Sequence, residues 1–279
     1  MRTRLLALAA TILVGLGLVV PASPASASTG GTVDGDTHPN VAMIAFYDAD
    51  GRFRCSATLV SPRVLVTAAH CTSGTLGKTL VTFDSVVAEA PPSPLPVAAD
   101  VTAGYTAAEI TAAGYLAGTA YTHPNYSNFT DLDNWNDVGV VVLDEAVDIA
   151  PAPLAPLNAA DAIKHPRKTL FTAVGYGTEV RQADVGSQKP TPMSYPIIRR
   201  YVEMPGQKIT PQIIQTNGNE NDPFGTGGTC FGDSGGSLWL DGAVVGVTSY
   251  GYTANCRYID GYQRIDIPVV ASWLAGFLS

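Results

Sequence analysis

Apolar residues fall in short blocks separated by turn-forming residues. Val41 to Tyr47 is a β-rich apolar run that stops at Asp48-Ala-Asp-Gly51, a turn signal. Cys55 to Val60 and Val64 to Thr67 predict two more strands, split by Ser61-Pro62. Val138 to Leu143 is unbroken, as expected of a strand buried on both faces. Leu170 to Tyr176, Ser237 to Leu240, Ala243 to Tyr250 and Tyr262 to Ile265 repeat the style, and Asp241-Gly242 marks a hairpin. Only Pro268 to Leu278 reads as a helix, with Pro268 suited to its first turn. Many short strands between Gly and Pro turns predict an all-β barrel or sandwich. The Pro-rich stretch Ala150 to Pro156 reads as a linker, and Ala88 to Ala99 as a surface loop insertion.

Composition narrows the function. The chain has 279 residues, 46% hydrophobic and 14% charged, with 28 Gly, 20 Pro and a formal net charge of −8. Apolar content at this level supports a large core and argues against disorder. Nucleic-acid binding rests on Lys and Arg neutralising phosphates, and this acidic chain has no basic run.

Met1 to Ala27 is expected to be a secretory signal. Arg2 and Arg4 precede the apolar run Leu5 to Val20, and the segment ends in the small-residue pattern Ala25-Ser26-Ala27. Its removal predicts a secreted protein with no membrane attachment. The expected organisation is a signal peptide at 1–27, a first unit at 28–150 and a second at 151–279. Four cysteines in an exported chain predict two disulfides. Three pairings exist, of which the local one is simplest. No C-x-x-C pair occurs, so no metal is expected.

Three segments carry candidate chemistry. In Gly232-Asp-Ser-Gly-Gly236 the glycines free Ser234 to sit on a tight turn with backbone N–H groups close to a substrate oxyanion. In Leu65-Val-Thr-Ala-Ala-His-Cys71 an apolar strand delivers His70 beside a cysteine that can tie its loop down, as a general base needs. Asp137 leads directly into the run Val138 to Leu143, where a buried carboxylate could accept an imidazole N–H. Asp131, Asp133 and Asp144 are nearby but do not enter that strand. All four histidines precede Ser234, which excludes the α/β-hydrolase order of Ser before His.

The order His70, Asp137, Ser234 and the three blocks around them resemble the secreted trypsin/chymotrypsin-like serine endopeptidases, over roughly Val33 to Leu278. His123-Pro-Asn-Tyr126 resembles a further block of that family. The resemblance implies two packed six-stranded antiparallel β-barrels with a C-terminal helix. His70 and Asp137 would come from the first barrel and Ser234 from the second. It implies disulfides Cys55–Cys71 and Cys230–Cys256, the second bracing the specificity pocket. It also implies catalytic roles for His70, Asp137 and Ser234, an oxyanion hole from the N–H groups of Gly232 and Ser234, and substrate pairing along Ser249-Tyr250-Gly251. No cofactor is implied. The implied partners are polypeptide substrates and a protein protease inhibitor, acting on a monomer.

Two positions depart from the family pattern. Gly228 stands where trypsin-like members carry an Asp, six residues before the nucleophile. A large apolar residue before the scissile bond is therefore expected, with Tyr258 or Tyr262 narrowing the pocket. Asp260 is the alternative, a negative charge that would favour a basic residue. Thr32-Val33-Asp34-Gly35 occupies the place of the family's activating N-terminus but matches it imperfectly, and no Lys or Arg lies between Arg4 and Arg52. Either another protease trims near Thr32, or Asp233 finds an internal partner. Rival readings are a binding protein that has lost catalysis on the same fold and an esterase.

Overall fold

The computed structural model describes residues 31–178, 195–219 and 221–278. The expected signal segment Met1 to Ala27 lies outside them. The first barrel is closed by six antiparallel strands: β2 (Val41–Asp48), β3 (Gly51–Ser61), β4 (Val64–Thr67), β5 (Leu76–Thr82), β7 (Leu116–Thr122) and β8 (Gly139–Leu143). The second is closed by β9 (Leu170–Gly175), β11 (Arg200–Ile209), β12 (Ile213–Asn217), β13 (Ser237–Leu240), β14 (Ala243–Gly251) and β15 (Ile259–Arg264). The short β1 (Thr32–Val33) extends the second sheet by pairing with β11. A two-stranded pair, β6 (Val86–Ala88) with β10 (Ile197–Ile198), links the two halves.

Period-two alternation explains the first barrel. On β3, Phe53, Cys55, Ala57 and Leu59 point into a cluster with Ala42, Ile44 and Phe46 of β2, Leu65 of β4 and Val141 of β8. The other face of β2 (Val41, Met43, Ala45, Tyr47) packs against Tyr176 and Ile197. Both faces are covered, which accounts for the continuous apolar run. Phe171, Met204, Ile214, Leu238 and Tyr262 fill the second barrel. Between the barrels, Val64, Val66, Val138 and Val140 meet Val244, Val247 and Ile265. The helix Pro268–Leu278 closes this layer with Val270 and Leu274, four residues apart on one face.

Three readings of the sequence are corrected. The Ala150–Pro156 stretch is tied to both barrels rather than a free linker. The Ala152 N–H donates to Leu59 O, and Val244 N–H donates to Pro153 O. The Ala88–Ala99 stretch is anchored. Leu95 and Ala98 are buried, and the Ala98 N–H donates to the Tyr47 hydroxyl. A short helix, Ala107–Ala112, was not foreseen; Thr106 and Glu109 cap its start reciprocally.

Candidate active site

His70 sits on a single 3-10 turn, Ala69–Cys71, directly after β4. Cys71 is bonded to Cys55 of β3, so the turn is stapled to the neighbouring strand. Closing a loop of this length contributes about 3 kcal/mol in the chain-entropy model. The ligand atoms of Cys55, His70 and Cys71 lie within 4.8 Å of one another. Both sulfurs are spent in the disulfide, so no thiolate is offered to a metal. Cys230 and Cys256 form the second disulfide.

Asp137 is fully buried at the entrance to β8. The preceding Asn136 has φ +45°, a conformation asparagine adopts more readily than most residues, and Val138 N–H donates back to Asn136 O. That tight bend aims Asp137 at His70. Its Oδ1 accepts the His70 backbone N–H at 2.9 Å, and its Oδ2 lies 2.9 Å from His70 Nδ1. Two bonds to one residue set both the turn and the ring. The Ser249 hydroxyl donates to the same Oδ2 at 2.6 Å and accepts from Trp135 Nε1 at 2.9 Å. Gln263 Oε1 accepts the Asp137 N–H at 3.0 Å. Asp137 of the first barrel is thus held by two side chains of the second, Ser249 at its carboxylate and Gln263 at its backbone N–H.

Ser234 lies on the loop between Cys230 and Ser237. Gly232 has φ +99° and Gly235 φ +74°, conformations that L side chains rarely adopt. The Ser56 hydroxyl donates to Gly232 O at 2.8 Å and the Ser56 N–H to Ser234 O at 2.8 Å. With both carbonyls held by β3, the N–H groups of Gly232 and Ser234 have no acceptor among the described residues. A Cβ on Gly235 would come within 2.0 Å of Thr67 Oγ1 and 2.6 Å of Ser56 O. Gly235→Ala is expected to cost at least about 2 kcal/mol in urea unfolding, from the positive φ and the contact together. A change below about 0.5 kcal/mol would show that the loop yields freely.

His70 and Ser234 line one cleft of about 620 Å³ with Phe129, Thr229, Phe231, Ser249, Tyr250 and Gly251. Among the described residues, no hydrogen bond joins His70 and Ser234. Gly228 and Asp260 stand behind the cleft wall. Asp260 Oδ2 accepts the Thr229 N–H at 2.7 Å, and Gly228 packs on the backbone of Gly218, whose own Cβ would lie 2.6 Å from Asp260 Oδ2. Burial pushes the Asp260 carboxyl up to about 7; the Thr229 hydrogen bonds oppose this and the charge of Asp233 adds to it. Tyr262 is inside the second barrel, so it does not narrow the pocket, and Tyr258 is half exposed.

The Trypsin family model matches residues 30–274. The chain belongs to the trypsin family. It is a trypsin-like serine endopeptidase. Brachyurin of Leptuca pugilator is 30% identical over 224 residues, covering 77% of this chain and 84% of brachyurin. Trypsin of Saccharopolyspora erythraea is 28% identical over 225 residues, covering 79% of this chain and 86% of that one. The solved HL collagenase superposes with a TM-score of 0.60 at 17% identity, covering 88% of this trypsin-family chain and 96% of its own. That likeness establishes the fold, two closed six-stranded barrels with a short C-terminal helix.

Sequence reasoning named Ser249 for substrate pairing and missed its bond to Asp137. It also missed Gln263, Trp135 and Arg54. The one available signal was Arg54 itself, a charged residue set between Phe53 and Cys55.

Proposed function

We propose that Ser234, His70 and Asp137 act as nucleophile, general base and orienting carboxylate in peptide-bond hydrolysis through an acyl-enzyme. The observation that carries this is the pair of hydrogen bonds between Asp137 and His70, in a cleft lined by Ser234 and beside two unengaged N–H groups. Ser234 Oγ bonds to the scissile carbonyl carbon while its proton passes to His70 Nε2. His70 returns that proton to the amine as the C–N bond breaks. A water then repeats the sequence in reverse and frees Ser234. The N–H groups of Gly232 and Ser234 hold the oxyanion. The substrate backbone adds as a strand along Ser249-Tyr250-Gly251. The division at residue 150 puts His70 and Asp137 in one unit and Ser234 in the other. The protein is exported through Met1 to Ala27 and acts as a secreted monomer, open to polypeptide substrates and to a protein inhibitor.

A fluorophosphonate reagent tests this. The expected result is a single adduct on the peptide containing Ser234, together with cleavage of peptide substrates. An adduct elsewhere, or turnover of small esters without peptides, would overturn the reading.

Asp260 gives the pocket a pH-dependent preference. Its raised pKa of about 7 means a neutral carboxyl below that pH and a carboxylate above it. The groups facing it are Asp233 and the Tyr262 phenol, which burial raises well above its ordinary range. A large apolar residue before the scissile bond is favoured at low pH. A basic one gains as pH rises through 7. The ratio of kcat/KM for a basic over an apolar substrate is expected to rise about tenfold from pH 5.5 to 8.5, roughly the worth of one exposed-to-partly-buried charge contact. A flat ratio would remove Asp260 from specificity.

A further inference from the structure

A second hollow, about 580 Å³, opens on the second barrel. Lys164, His165 and Lys168 line it, Ile163, Leu170 and Leu240 give it apolar surface, and Asp241 is the acid among its lining residues. It lies at the far end of the two strands that flank the Ser234 loop. β13 starts at Ser237, just after that loop, and ends at Leu240. β9 ends at Gly175, where a Cβ would meet Asp233 Oδ1, and starts at Leu170. Five residue steps along β9 put the two ends about 17 Å apart.

A stiff turn presents the cations. Pro166 opens the 3-10 turn Pro166–Lys168 with its φ already fixed. The Lys168 N–H donates to His165 O at 2.9 Å, and the Thr169 N–H to Pro166 O at 3.0 Å. The Gly206 N–H of β11 donates to Thr169 O at 3.0 Å, which ties the turn to the barrel. Lys164, Arg167 and Lys168 are all exposed. In the sequence His165 and Pro166 interrupt these charges, so no block of five or six like charges forms.

No acid neutralises them. Lys78 pairs with Asp144, Arg199 with Asp34, and Arg264 with Asp161 and Asp266. Among the described residues, Lys164, Arg167 and Lys168 form no ion pair. Asp161, the acid just before this turn, is taken by Arg264. In a chain of net charge −8 the hollow is therefore a local reversal of sign. Beside the cations, Leu170 leaves 48% of its surface exposed. A polysaccharide or polyphosphate would use the charges and leave the leucine idle. A polypeptide with acidic and apolar side chains uses both.

We propose that this hollow is a second docking site for polypeptide substrates, taking an acidic segment with large apolar side chains remote from the scissile bond. This rests on the hydrolase reading above. Docking tethers the substrate and raises the effective concentration of its scissile bond at Ser234. The chemistry at Ser234 is untouched, so the gain falls in KM and not in kcat.

The test uses peptides that share one scissile segment, with a fluorophore and a quencher on its two sides. One peptide has no tail. The others carry a Gly/Ser spacer of about 12 residues, whose r.m.s. span is about 19 Å. The spacer ends in Glu-Glu-Leu-Glu-Glu-Leu, in Ser-Ser-Leu-Ser-Ser-Leu or in Glu-Glu-Ser-Glu-Glu-Ser, and each tail is placed at either end in turn. At one end the Glu/Leu tail is expected to lower KM about tenfold below the Ser/Leu tail, with kcat within about twofold. An exposed ion pair is worth at most about fivefold, so the three cations are changed together. The triple variant Lys164→Gln, Arg167→Gln, Lys168→Gln should abolish the advantage and leave the untailed peptide within about twofold of wild type. Leu170→Thr, which keeps a strand-forming residue, should raise KM for the Glu/Leu tail about threefold. Equal KM for the Glu/Leu and Ser/Leu tails at both ends overturns the proposal. So does an advantage that survives the triple variant. A Glu/Ser tail as good as the Glu/Leu tail makes the hollow a general polyanion site and overturns the polypeptide assignment. If wild type cleaves none of the peptides, it is the hydrolase reading that fails. Fluorescence anisotropy of the Glu/Leu peptide then decides docking by itself: binding about tenfold tighter to wild type than to the triple variant upholds it, and equal binding overturns it.

Discussion

Ser234→Ala is expected to lower kcat on a peptide anilide by about a million-fold with KM little changed. In a triad the nucleophile and base act as a unit, and removal of either costs close to 2 × 10⁶ in the reference case. The residue of catalysis, roughly 10³- to 10⁴-fold over water, comes from the oxyanion site and substrate binding. Both survive here, because the loop is shaped by Gly232, Gly235 and the Ser56 bonds and not by the Ser234 hydroxyl. The variant should therefore fold, bind peptide and fail to label with fluorophosphonate. Activity within about 100-fold of wild type, in a preparation free of wild-type protein, would mean that another group attacks.

Asp137→Asn is expected to lower kcat by about 10⁴-fold at neutral pH. The geometry explains the size. Oδ1 accepts the His70 N–H and Oδ2 faces both His70 Nδ1 and the Ser249 hydroxyl, a donor. An amide must turn its NH₂ toward one of these sides. If it faces His70 Nδ1, it donates there and drives the ring proton to Nε2, the atom that must accept from Ser234. If it faces the backbone N–H instead, two donors collide and the His70 turn shifts. Ser249→Ala, which leaves the carboxylate in place, should cost far less, and the contrast separates charge and tautomer from mere packing. A loss below about tenfold for Asp137→Asn would show that Asp137 does not set the His70 tautomer. The measurement is kcat on the same anilide, with unfolding curves to show that both variants are folded.

Much of the first barrel was legible in the chain. The runs at β2, β4 and β8 are apolar and β-branched, and burial on both faces leaves no polar alternation to misread. The strands β5, β7, β11 and β12 were not foreseen. Leu116–Thr122 is mostly small residues, and Arg200–Ile209 carries Pro205 and Gly206 in its middle. Such strands owe their pairing to neighbours on both sides more than to their own propensity. The proline-rich stretches misled for a related reason. Pro and Ala signal a loop locally, yet Ala152 and Leu95 are buried by surfaces distant in the chain.

The candidate site divides along the same line. By itself the sequence determined which groups are available for chemistry and in what order. Ser234 between glycines, His70 beside Cys71 and Asp137 before an apolar strand are all local patterns. Their partners were decided only by tertiary structure. Ser249 and Gln263 grip Asp137, and Ser56 and Arg54 support the Ser234 loop, across the interface between the barrels. The reason is electrostatic and steric. Hydrogen bonds and buried charges act over a few ångströms in space, and only the packing of one barrel on the other brings β3 under the Ser234 loop, where Ser56 holds the carbonyls of Gly232 and Ser234.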